Sequence, residues 1–300
     1  MSFPEIIQLI ERNLATIDQK DSTVEIGFFG GSFTCLETDH QKRYLGLVQP
    51  FLADGRISSI RLSTRPDHID KKVLELLKDM HVKTIELGVQ SMNDDVLTAS
   101  GRGHTAKDVT QASGLIKMHG FDLGLQMMVG LPDDDAKKSL ETAEKIVDLN
   151  PDCVRIYPTL VIQNTELETL FLNGAYKPLG LDEAVACVAP ILKLFLDNEI
   201  NVIRVGLHPS EEFEAGGKLI AGPYHPSFRE LVMTKLWYEE FLKIQKKENE
   251  DITITVPTIQ YNYAIGYKAY NRDYLKLHFN RVRFQRSEVL TNFSYHVDYC

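Results

Sequence analysis

The sequence predicts an α/β protein built on a parallel sheet, with a barrel favoured over a doubly wound sheet. Short apolar strands alternate with helices of about 10 to 18 residues, which is the pattern of βαβ units. The strands are almost continuously apolar, as in a sheet that is covered on both faces. No glycine-rich dinucleotide-binding motif follows an early strand, and this absence favours the barrel.

The alternation runs in a regular order as far as about residue 210. Helices are predicted, from apolar residues spaced three or four apart, at residues 3–19, 40–53, 69–80, 105–119, 135–148 and 181–198. Strands are predicted, from short apolar runs bounded by polar residues or glycine, at residues 23–29, 57–62, 82–89, 121–129, 153–158 and 201–205.

The last third of the chain has a different pattern. Residues 216–231 are loop-like, a helix is predicted at 227–247, and strand-like alternation is present at 252–256 and 281–297. We therefore expect two domains. The barrel would cover 1–210, and an α+β extension packed on it would cover 211–300.

Composition excludes several classes of protein. No apolar run reaches the roughly 18 residues of a membrane-spanning helix, and the acidic N-terminus does not have the pattern of a signal peptide. These features predict a cytoplasmic protein without a membrane partner. The net charge of −9 argues against a surface that binds nucleic acid all over, although it allows a local basic patch.

The four cysteines, Cys35, Cys153, Cys187 and Cys300, are far apart in the sequence. Metal and cluster loops draw two or three ligands from one short segment, so no metal site is predicted from these residues. A disulfide framework is not predicted either, because the chain is long and poor in cysteine. We expect four ordinary thiols.

Catalytic chemistry in α/β barrels lies at the carboxyl ends of the strands, so polar residues there are the candidates. Gly30 and Gly31, followed by Ser32, either allow a ligand to approach the backbone or form a tight turn. Arg65 either binds a carboxylate or phosphate or forms a surface ion pair. Asp67 is expected to cap the next helix.

Further candidates follow the next strands. Glu86, Gly88 and Gln90 share one side of a strand, and a buried carboxylate such as Glu86 needs a partner. Gln126 is a lone amide in an apolar strand, and Tyr157 lies at the end of the strand after it.

Residues 101–105, with the sequence GRGHT, are expected to link two helices. Arg102 between its glycines is an anchored cation, or the segment is a helix C-cap followed by Thr105 as an N-cap. Both interpretations are compatible. His104, His208 and His225 are expected to be hydrogen-bonded histidines rather than metal ligands. Because the sequence contains no nucleophile with an adjacent base and no carboxylate dyad, no catalytic residue is assigned.

Six motifs in order are similar to the radical S-adenosylmethionine (SAM) core of the Elongator-catalytic-subunit-like group, and in particular to its bacterial members. They are GFFGGSF, STRPD, IELGVQS, RGHT, LGLQMMVGLPDD and VRIYPTLV. A weaker similarity extends to oxygen-independent coproporphyrinogen oxidases. The resemblance runs from about residue 3 to the C-terminus, and no segment resembles the acetyltransferase domain of the Elongator subunit.

The resemblance implies a partial (β/α)6 barrel that holds SAM and a [4Fe–4S] cluster at the carboxyl ends of its strands. By this similarity, Gly30, Gly31 and Ser32 would contact the methionyl amino group of SAM, and Gln90 and Arg102 its carboxylate. Gln126 stands where relatives have an acid for the ribose hydroxyls, and an amide still bonds hydroxyls. The other residues assigned to the cofactor site, by strand position, are Arg65, Glu86 and Tyr157.

The family also has a Cys-x3-Cys-x2-Cys loop after a first strand, upstream of the helix that here begins near Ser2. The chain contains neither this loop nor that strand. We therefore expect a truncated chain that lacks its cluster ligands and is inactive as written, with the missing loop encoded in frame upstream of Met1. The strand at 23–29 would then be an exposed sheet edge, which favours aggregation.

Three functions follow from these observations. The first is a radical SAM enzyme that needs an electron donor and acts on an unknown substrate, with tRNA or other RNA suggested by analogy. A stretch of basic and aromatic residues would then contact RNA through Lys268, Arg272, Lys276, Arg281, Arg283 and Arg286, or it is a solvated surface. The second is a non-catalytic protein that binds SAM or a partner. The third is an ordinary barrel enzyme acting on an anionic metabolite.

Overall fold

The computed structural model describes residues 2–18, 22–30, 32–209, 217–246 and 250–299. Gly31 and Cys300 lie outside these ranges. The helices are α1 Phe3–Leu14, α2 Thr38–Ala53, α3 Lys71–Asp79, α4 Asp94–Ala99, α5 Ala106–Met118, α6 Ala136–Asp148, α7 Glu166–Leu172, α8 Leu181–Asp197, α9 Phe228–Phe241, α10 Tyr261–Ile265 and α11 Tyr270–Leu275. The strands are β1 Glu25–Phe28, β2 Ser59–Thr64, β3 Val82–Gln90, β4 Asp122–Val129, β5 Cys153–Pro158, β6 Val161–Ile162, β7 Asn201–Val205, β8 Leu219–Ala221, β9 Ile252–Pro257, β10 Val282–Ser287 and β11 His296–Tyr299.

The chain forms two compact units. The first unit comprises Met1–Met127 and Asp148–Val154, and the second comprises Met128–Val147 and Arg155–Cys300. In the first unit, β1, β2, β3 and β4 are neighbours in that order, and the beginning of β5 follows β4. The pairings from β1 to β4 are parallel, as the alternation of strands and helices requires.

The sheet of the first unit is buried because its strands are apolar on both faces. Leu62 of β2 and Ile85 and Leu87 of β3 are fully buried, although the polar residue Glu86 stands between the last two in the strand. Helix α3 contributes Leu74 and Leu77, which are also fully buried and are three residues apart on one helix face. This core holds the carboxyl ends of β2 and β3 in place.

Strand β1 lies at the edge of the sheet. Among the described residues, no strand pairs with its outer side. An apolar cavity of about 640 Å³ lies beside it, with walls from α1, β1 and α2 that include Ile10, Phe28 and Tyr44. The exposed-edge character that the sequence predicts for 23–29 is therefore present, in the shorter strand Glu25–Phe28.

The second unit contains the rest of β5 beside β7, a two-stranded antiparallel pair of β6 and β8, and a three-stranded sheet in the order β10-β9-β11. Strand β10 runs parallel to β9, whereas β11 runs antiparallel to it. The core of this unit is aromatic, with Trp237, Phe195 and Phe228 fully buried.

The α/β class and the order of the predicted strands are confirmed, and β5 and β7 have the predicted bounds. Two helices end at least five residues before their predicted ends. Helix α1 ends at Leu14 rather than residue 19, since Thr16 donates its amide to the Asn13 carbonyl in a tight turn. Helix α9 ends at Phe241 rather than 247, where Ile244 turns back to the Phe241 carbonyl.

The spacing of apolar residues did not predict the short helices and strands. Helices α4, α7, α10 and α11 have five to seven residues, too few for a repeating apolar face. Strand β8 interrupts the stretch predicted as loop, and 281–297 divides into β10 and β11 with Asn292 at φ 50° between them. The predicted domain boundary at 210/211 stays a prediction. No described helix combines the length and the apolar character that crossing a bilayer requires.

Candidate functional site

The segment after β1 is tied to the carboxyl end of β2. Thr34 and Thr64 are both buried, and their hydroxyl oxygens lie 2.6 Å apart. The Thr34 amide also donates to the Thr64 hydroxyl at 3.2 Å. This pair positions Gly30 and Ser32, both exposed. Gly30 has φ 148°, a conformation that favours glycine, which explains the residue without reference to a ligand.

Gln90 ends β3 in a left-handed conformation with φ 63°, at a shift in register between β3 and β4. Its side chain lies over Gly88, since a Cβ on Gly88 would come within 2.6 Å of the Gln90 amide nitrogen. The predicted shared side of Gly88 and Gln90 is therefore confirmed. A larger residue at 88 would displace the Gln90 amide from this strand end.

The link between α4 and α5 is a helix C-cap followed by an N-cap, as one of the two interpretations predicts. Gly101 has φ 63° and donates to the Thr98 carbonyl, while the Arg102 amide donates to Leu97, which is a Schellman motif. Thr105 then caps α5, where its hydroxyl accepts the Asp108 amide at 3.2 Å. This rigid link orients the half-buried Arg102.

Arg65 and Arg102 lie close together. The Arg65 guanidinium is 3.2 Å from the position that a Cβ on Gly103 would occupy, so the glycine makes room for it. Burial first, and then the positive charge of Arg65, lower the pKa of Arg102. Two neighbouring guanidinium groups at the ends of β2 and α4 form a site that an anion would stabilise.

Arg65 forms the local ion pair that the sequence analysis allowed. Its guanidinium donates to both carboxylate oxygens of Asp67, at 2.9 and 2.7 Å, and these bonds raise the pKa of Arg65. The expectation that Asp67 caps the next helix is wrong. Asp70 caps α3 instead, accepting the Val73 amide at 2.8 Å, because the chain first makes a short 3-10 turn over Pro66–His68.

Glu86 is 1% exposed and both of its carboxylate oxygens are bonded. Arg61 of β2 donates to one oxygen at 2.8 Å, and Gln126 of β4 donates to the other at 2.8 Å. Arg61 also bonds Glu25 at 2.9 Å and lies 3.5 Å from the Cys153 thiol. Burial lowers the pKa of Arg61, but the hydrogen bonds to Glu86 and its other partners outweigh this effect and raise it. The need of Glu86 for a partner is thus confirmed.

Gly124 makes space for this network. A Cβ at position 124 would lie 2.5 Å from Cγ of Glu86 and 3.3 Å from the Cys153 sulfur. The side chain of Glu86 therefore fills the volume that the glycine leaves open. Sequence reasoning missed Arg61, although a signal was present, because Arg61 is the only charged residue in the predicted strand 57–62.

Tyr157 belongs to the second unit, where it is half-buried near the end of β5. Its assignment to the cofactor site stays a prediction. His104 is 7% exposed, and its Nε2 lies 3.1 Å from the Val89 carbonyl, so it forms the hydrogen bond that the sequence analysis expected. Its Nδ1 has no partner among the described residues. Nδ1 of His225 accepts the Ser227 amide at 3.0 Å.

Two family models match the chain in succession. The model of the Radical SAM superfamily matches residues 4–146, and the model of the Radical_SAM C-terminal domain matches residues 151–238. The chain is a member of the radical SAM superfamily. The resemblance carried by the six sequence motifs is therefore confirmed.

Several relatives of this radical SAM chain are proteins of the Elongator type. It is 28% identical over 196 residues to the tRNA uridine(34) acetyltransferase of Methanocaldococcus jannaschii, which is 59% of this chain and 36% of the relative. It is 36% identical over 138 residues to human Elongator complex protein 3, which is 45% of this chain and 25% of the relative. The chain thus spans less than half the length of these relatives.

One solved structure supports the fold. The archaeal Methanocaldococcus infernus Elp3 with an N-terminal deletion superposes with a TM-score of 0.66 at 22% identity, over 88% of this chain and 63% of that one. This likeness shows the partial TIM-like α/β fold with a C-terminal extension. Coproporphyrinogen III oxidase from Escherichia coli is also similar, with a TM-score of 0.47 and 18% identity over 58% of this chain and 40% of that one.

The superfamily uses SAM and a [4Fe–4S] cluster, and the chain's residues can be tested for each. Cluster loops supply three thiolates from one segment. Cys35 is exposed, whereas Cys153 and Cys187 are buried, and Cys153 lies in the first unit whereas Cys187 lies in the second. The described residues include no group of three or more side chains that could hold a metal ion. They do not fit the cluster.

The described residues do fit the amino-acid end of SAM. A carboxylate would relieve the repulsion between Arg65 and Arg102, whose guanidinium groups present fixed donors suited to it. Because Gly103 has no Cβ, there is room beside it for the Arg65 guanidinium. In the same way, Gly88 makes room for the Gln90 amide.

Proposed function

We propose that this chain supplies the SAM-binding site of a radical SAM enzyme that modifies tRNA. The observation that carries the proposal is the pair of guanidinium groups of Arg65 and Arg102, held beside glycines at the ends of β2 and α4. In an enzyme of this superfamily, SAM is cleaved reductively at the cluster, which requires an electron donor. Because the described residues do not fit the cluster, no step of that chemistry is assigned to them.

The proposed roles follow the geometry of the first unit. Arg102 binds the SAM carboxylate, and the Gln90 amide, fixed over Gly88, donates a hydrogen bond to the same group. Backbone groups of Gly30 and the side chain of Ser32 receive the methionyl amino group, with Gly31 outside the described residues. The Arg65–Asp67 ion pair opens to admit the carboxylate or remains beside it.

Gln126 keeps the ribose contact that motif similarity suggests, whereas Glu86 has a different role from the one that its strand position suggests. The Gln126 amide nitrogen already donates to Glu86, which leaves its carbonyl oxygen to accept a ribose hydroxyl. Glu86 has both oxygens engaged and is almost completely buried. We therefore infer that Glu86 positions Gln126 and does not itself contact SAM.

The proposal of tRNA as substrate rests on the named relatives. The chain aligns over 196 to 202 residues with proteins named tRNA uridine(34) acetyltransferase. The basic residues suggested for RNA contact do not share one face. Arg283 and Arg286 of β10 are separated by an odd number of positions and point to opposite sides of the strand. Arg272 and Lys276 both bond Asp273, which offsets part of their charge.

One observation favours a second function, a SAM-binding protein without redox chemistry. Neither Cys35 nor Cys187 is activated by its surroundings. Partial burial raises the pKa of the Cys35 thiol, and burial raises the pKa of Cys187 to about 11. Neither thiol is therefore readily deprotonated to a thiolate. In this second function, SAM binding persists while iron is absent.

Calorimetry with SAM tests the common part of both functions. We expect micromolar binding by the chain, and about tenfold or greater weakening in Arg102→Gln, because a charged carboxylate contact is lost. Folding is expected to survive, since the substitution removes the repulsion from Arg65. Arg56→Gln, which removes a half-buried, ion-paired arginine of the same unit, is the matched control and should bind as the unaltered chain does.

Anaerobic incubation with iron and sulfide separates the two functions when it is done on the gene product that includes any in-frame upstream sequence, because the described residues of this chain do not fit the cluster. Iron and sulfide bound in about fourfold excess over protein, together with release of 5′-deoxyadenosine from SAM, would establish the first. SAM binding with no iron would establish the second. Equal SAM affinity of the unaltered chain and Arg102→Gln would refute the site itself.

A further inference from the structure

A cavity of about 400 Å³ lies in the second unit, and its lining contains no residue assigned to SAM. We call it the Tyr263 pocket. Its lining includes Glu230 and Thr234 from α9 and Ile259, Asn262, Tyr263 and Tyr267 from the segment that follows β9. Its volume is in the range of small-molecule sites, about 300 to 1,000 Å³.

The wall of the Tyr263 pocket is held in an unusual conformation. Gly266 has φ 89°. Two residues further on, Lys268 and Ala269 have left-handed backbone conformations, with φ 50° and 63°. Two successive non-glycine residues seldom adopt this conformation, and such conformations persist only where the surroundings enforce them. The strained segment therefore has a fixed shape that its neighbours impose.

The enforcing contacts come from α9. The Thr234 hydroxyl accepts the Tyr267 amide at 2.7 Å, and the fully buried Asn271 donates to the Thr234 carbonyl at 3.0 Å. A Cβ on Gly266 would be 2.8 Å from the Asn271 nitrogen, so no other residue fits there without displacement. Tyr267 is thereby fixed at the pocket wall before any ligand arrives.

The chemistry of the lining selects a flat, uncharged ring. Tyr263 and Tyr267 contribute aromatic rings to the lining, which also contains Ile259, 84% exposed. Asn262 supplies both a donor and an acceptor, and Glu230 is an acceptor for N–H groups. The carboxylate disfavours phosphate inside the pocket. These properties match an unstacked nucleobase, which has a π-face and donors and acceptors on its edge.

Cations lie outside the aromatic lining rather than within it. The ammonium of Lys268 is 5.5 Å from the centre of the Tyr267 ring, and Lys268 is exposed. The guanidinium of Arg286 is 4.5 Å from the centre of the Tyr261 ring. An aromatic pocket with neighbouring cations is the arrangement by which proteins hold single-stranded nucleic acid.

We propose that the Tyr263 pocket binds one unstacked nucleobase of the RNA substrate, with Lys268 contacting an adjoining phosphate. This inference rests on the proposed function in one respect, the choice of RNA as substrate. It adds a binding site in the C-terminal part of the chain that is independent of SAM and of the cluster.

The test uses fluorescence anisotropy with two labelled probes, a ten-nucleotide single-stranded RNA and the same ribose-phosphate chain without bases. Tyr263→Ala should weaken binding of the base-containing probe about tenfold, because loss of stacking on one base has an effect of that size. Binding of the abasic probe should change less than twofold. Tyr263→Phe keeps the ring and should restore the affinity.

Tyr270→Ala is the matched control, since Tyr270 is a 59% exposed tyrosine of the same unit outside the pocket. Fluorescence of the buried Trp237, which bonds Gln260, reports whether each variant is folded. The proposal is overturned if Tyr263→Ala and Tyr270→Ala bind the RNA equally, or if Tyr263→Ala weakens both probes alike.

A different result would refute the choice of RNA. If the unaltered chain binds neither the ten-nucleotide RNA nor unmodified tRNA, the pocket proposal and the substrate of the proposed function both fail. The SAM calorimetry with Arg102→Gln is independent of that outcome, so the cofactor site can stand when the RNA site falls.

Discussion

At the scale of single residues, the first unit is organised around a carboxylate that water does not reach. Glu86 accepts one bond from Arg61 and one from Gln126, so its charge is balanced and its oxygens are satisfied. The side chain of Arg61 is itself only 16% exposed. A buried ion pair adds little stability compared with apolar residues, but removing one partner leaves a charge without compensation.

Glu86→Ala should therefore lower the free energy of unfolding by about 3 kcal/mol, at the lower end of the range for broken buried pairs because Arg61 retains Glu25. Urea denaturation followed by circular dichroism measures the change. The double variant Arg61→Met with Glu86→Ala should recover about half of the loss. Lys71→Ala, which breaks an exposed pair with Glu75, is the control and should change stability by less than about 0.5 kcal/mol.

A second, half-buried carboxylate lies in the loop after β4. Asp134 accepts the Gly130 amide at 2.8 Å and the Ser139 hydroxyl at 2.7 Å, but its other oxygen is buried and has no partner among the described residues. Burial outweighs these bonds and raises the pKa of Asp134. At a pH just above 3.8, the ordinary pKa of an aspartate, Asp134 is then still protonated in the folded state but has lost its proton in the unfolded state.

Asp134 therefore makes stability fall as the pH rises through that window, and the loss remains at higher pH. Asp134→Asn should be more stable relative to the unaltered chain at pH 8 than at pH 4, because a neutral amide replaces the buried charge. Urea unfolding at both pH values measures the difference. Glu144→Gln, an exposed neutralisation on α6, is the comparison, and an equal pH effect in both variants would contradict the assignment.

At the scale of elements, the link between α4 and α5 depends on one glycine. Gly101 has φ 63°, a conformation that costs other residues about 1–2 kcal/mol. Gly101→Ala should destabilise the chain by about 1 kcal/mol, and it should also weaken SAM binding because Arg102 follows directly. Gly114→Ala is the matched control. Gly114 is exposed inside α5 with open space at its Cβ, so alanine should stabilise by up to about 1 kcal/mol.

Thermal melts of the two alanine variants give a direct test. The expected shifts have opposite signs, although the chemical change is the same. If both variants melt at lower temperature, or if Gly101→Ala is neutral, the Schellman conformation of the link is not important for stability.

The elements also show what periodicity can and cannot predict. Long helices such as α5 and α8 were predicted to within one residue because several turns repeat the apolar spacing. Helix α4 was missed because six residues hold less than two turns. Within the candidate site, Thr105 was predicted as a cap from local sequence, whereas the Asp67 prediction failed because the 3-10 turn shifts the start of α3 to Lys71.

At the scale of the whole molecule, contacts between residues far apart in the sequence could not be predicted from the sequence alone. The bond between Thr34 and Thr64 and the network of Arg61, Glu86 and Gln126 join different strands, and only the register of the sheet brings these residues together. The parallel pairing of the strands could be predicted, because a helix between two strands returns the chain to the end of the sheet at which the first strand began.

The charge of the molecule also has a consequence for its proposed ligands. With a net charge of −9, the chain repels a polyanion overall, so RNA affinity must come from local groups. The cations near the Tyr263 pocket are few, and two of the basic residues suggested for RNA share the carboxylate of Asp273. Stacking on aromatic rings then supplies affinity that the weak local field does not.

Gly124 and Glu86 finally constrain how this protein can change over generations. The carboxylate arm occupies the space where a Cβ at 124 would lie, 2.5 Å away, so the acid and the glycine form one packed unit. A mutation that enlarges residue 124 is harmful while Glu86 is present, and it becomes tolerable only after residue 86 shortens. We therefore expect substitutions at the two positions to occur together, and a lineage that loses the buried acid should tolerate larger residues on the neighbouring strand.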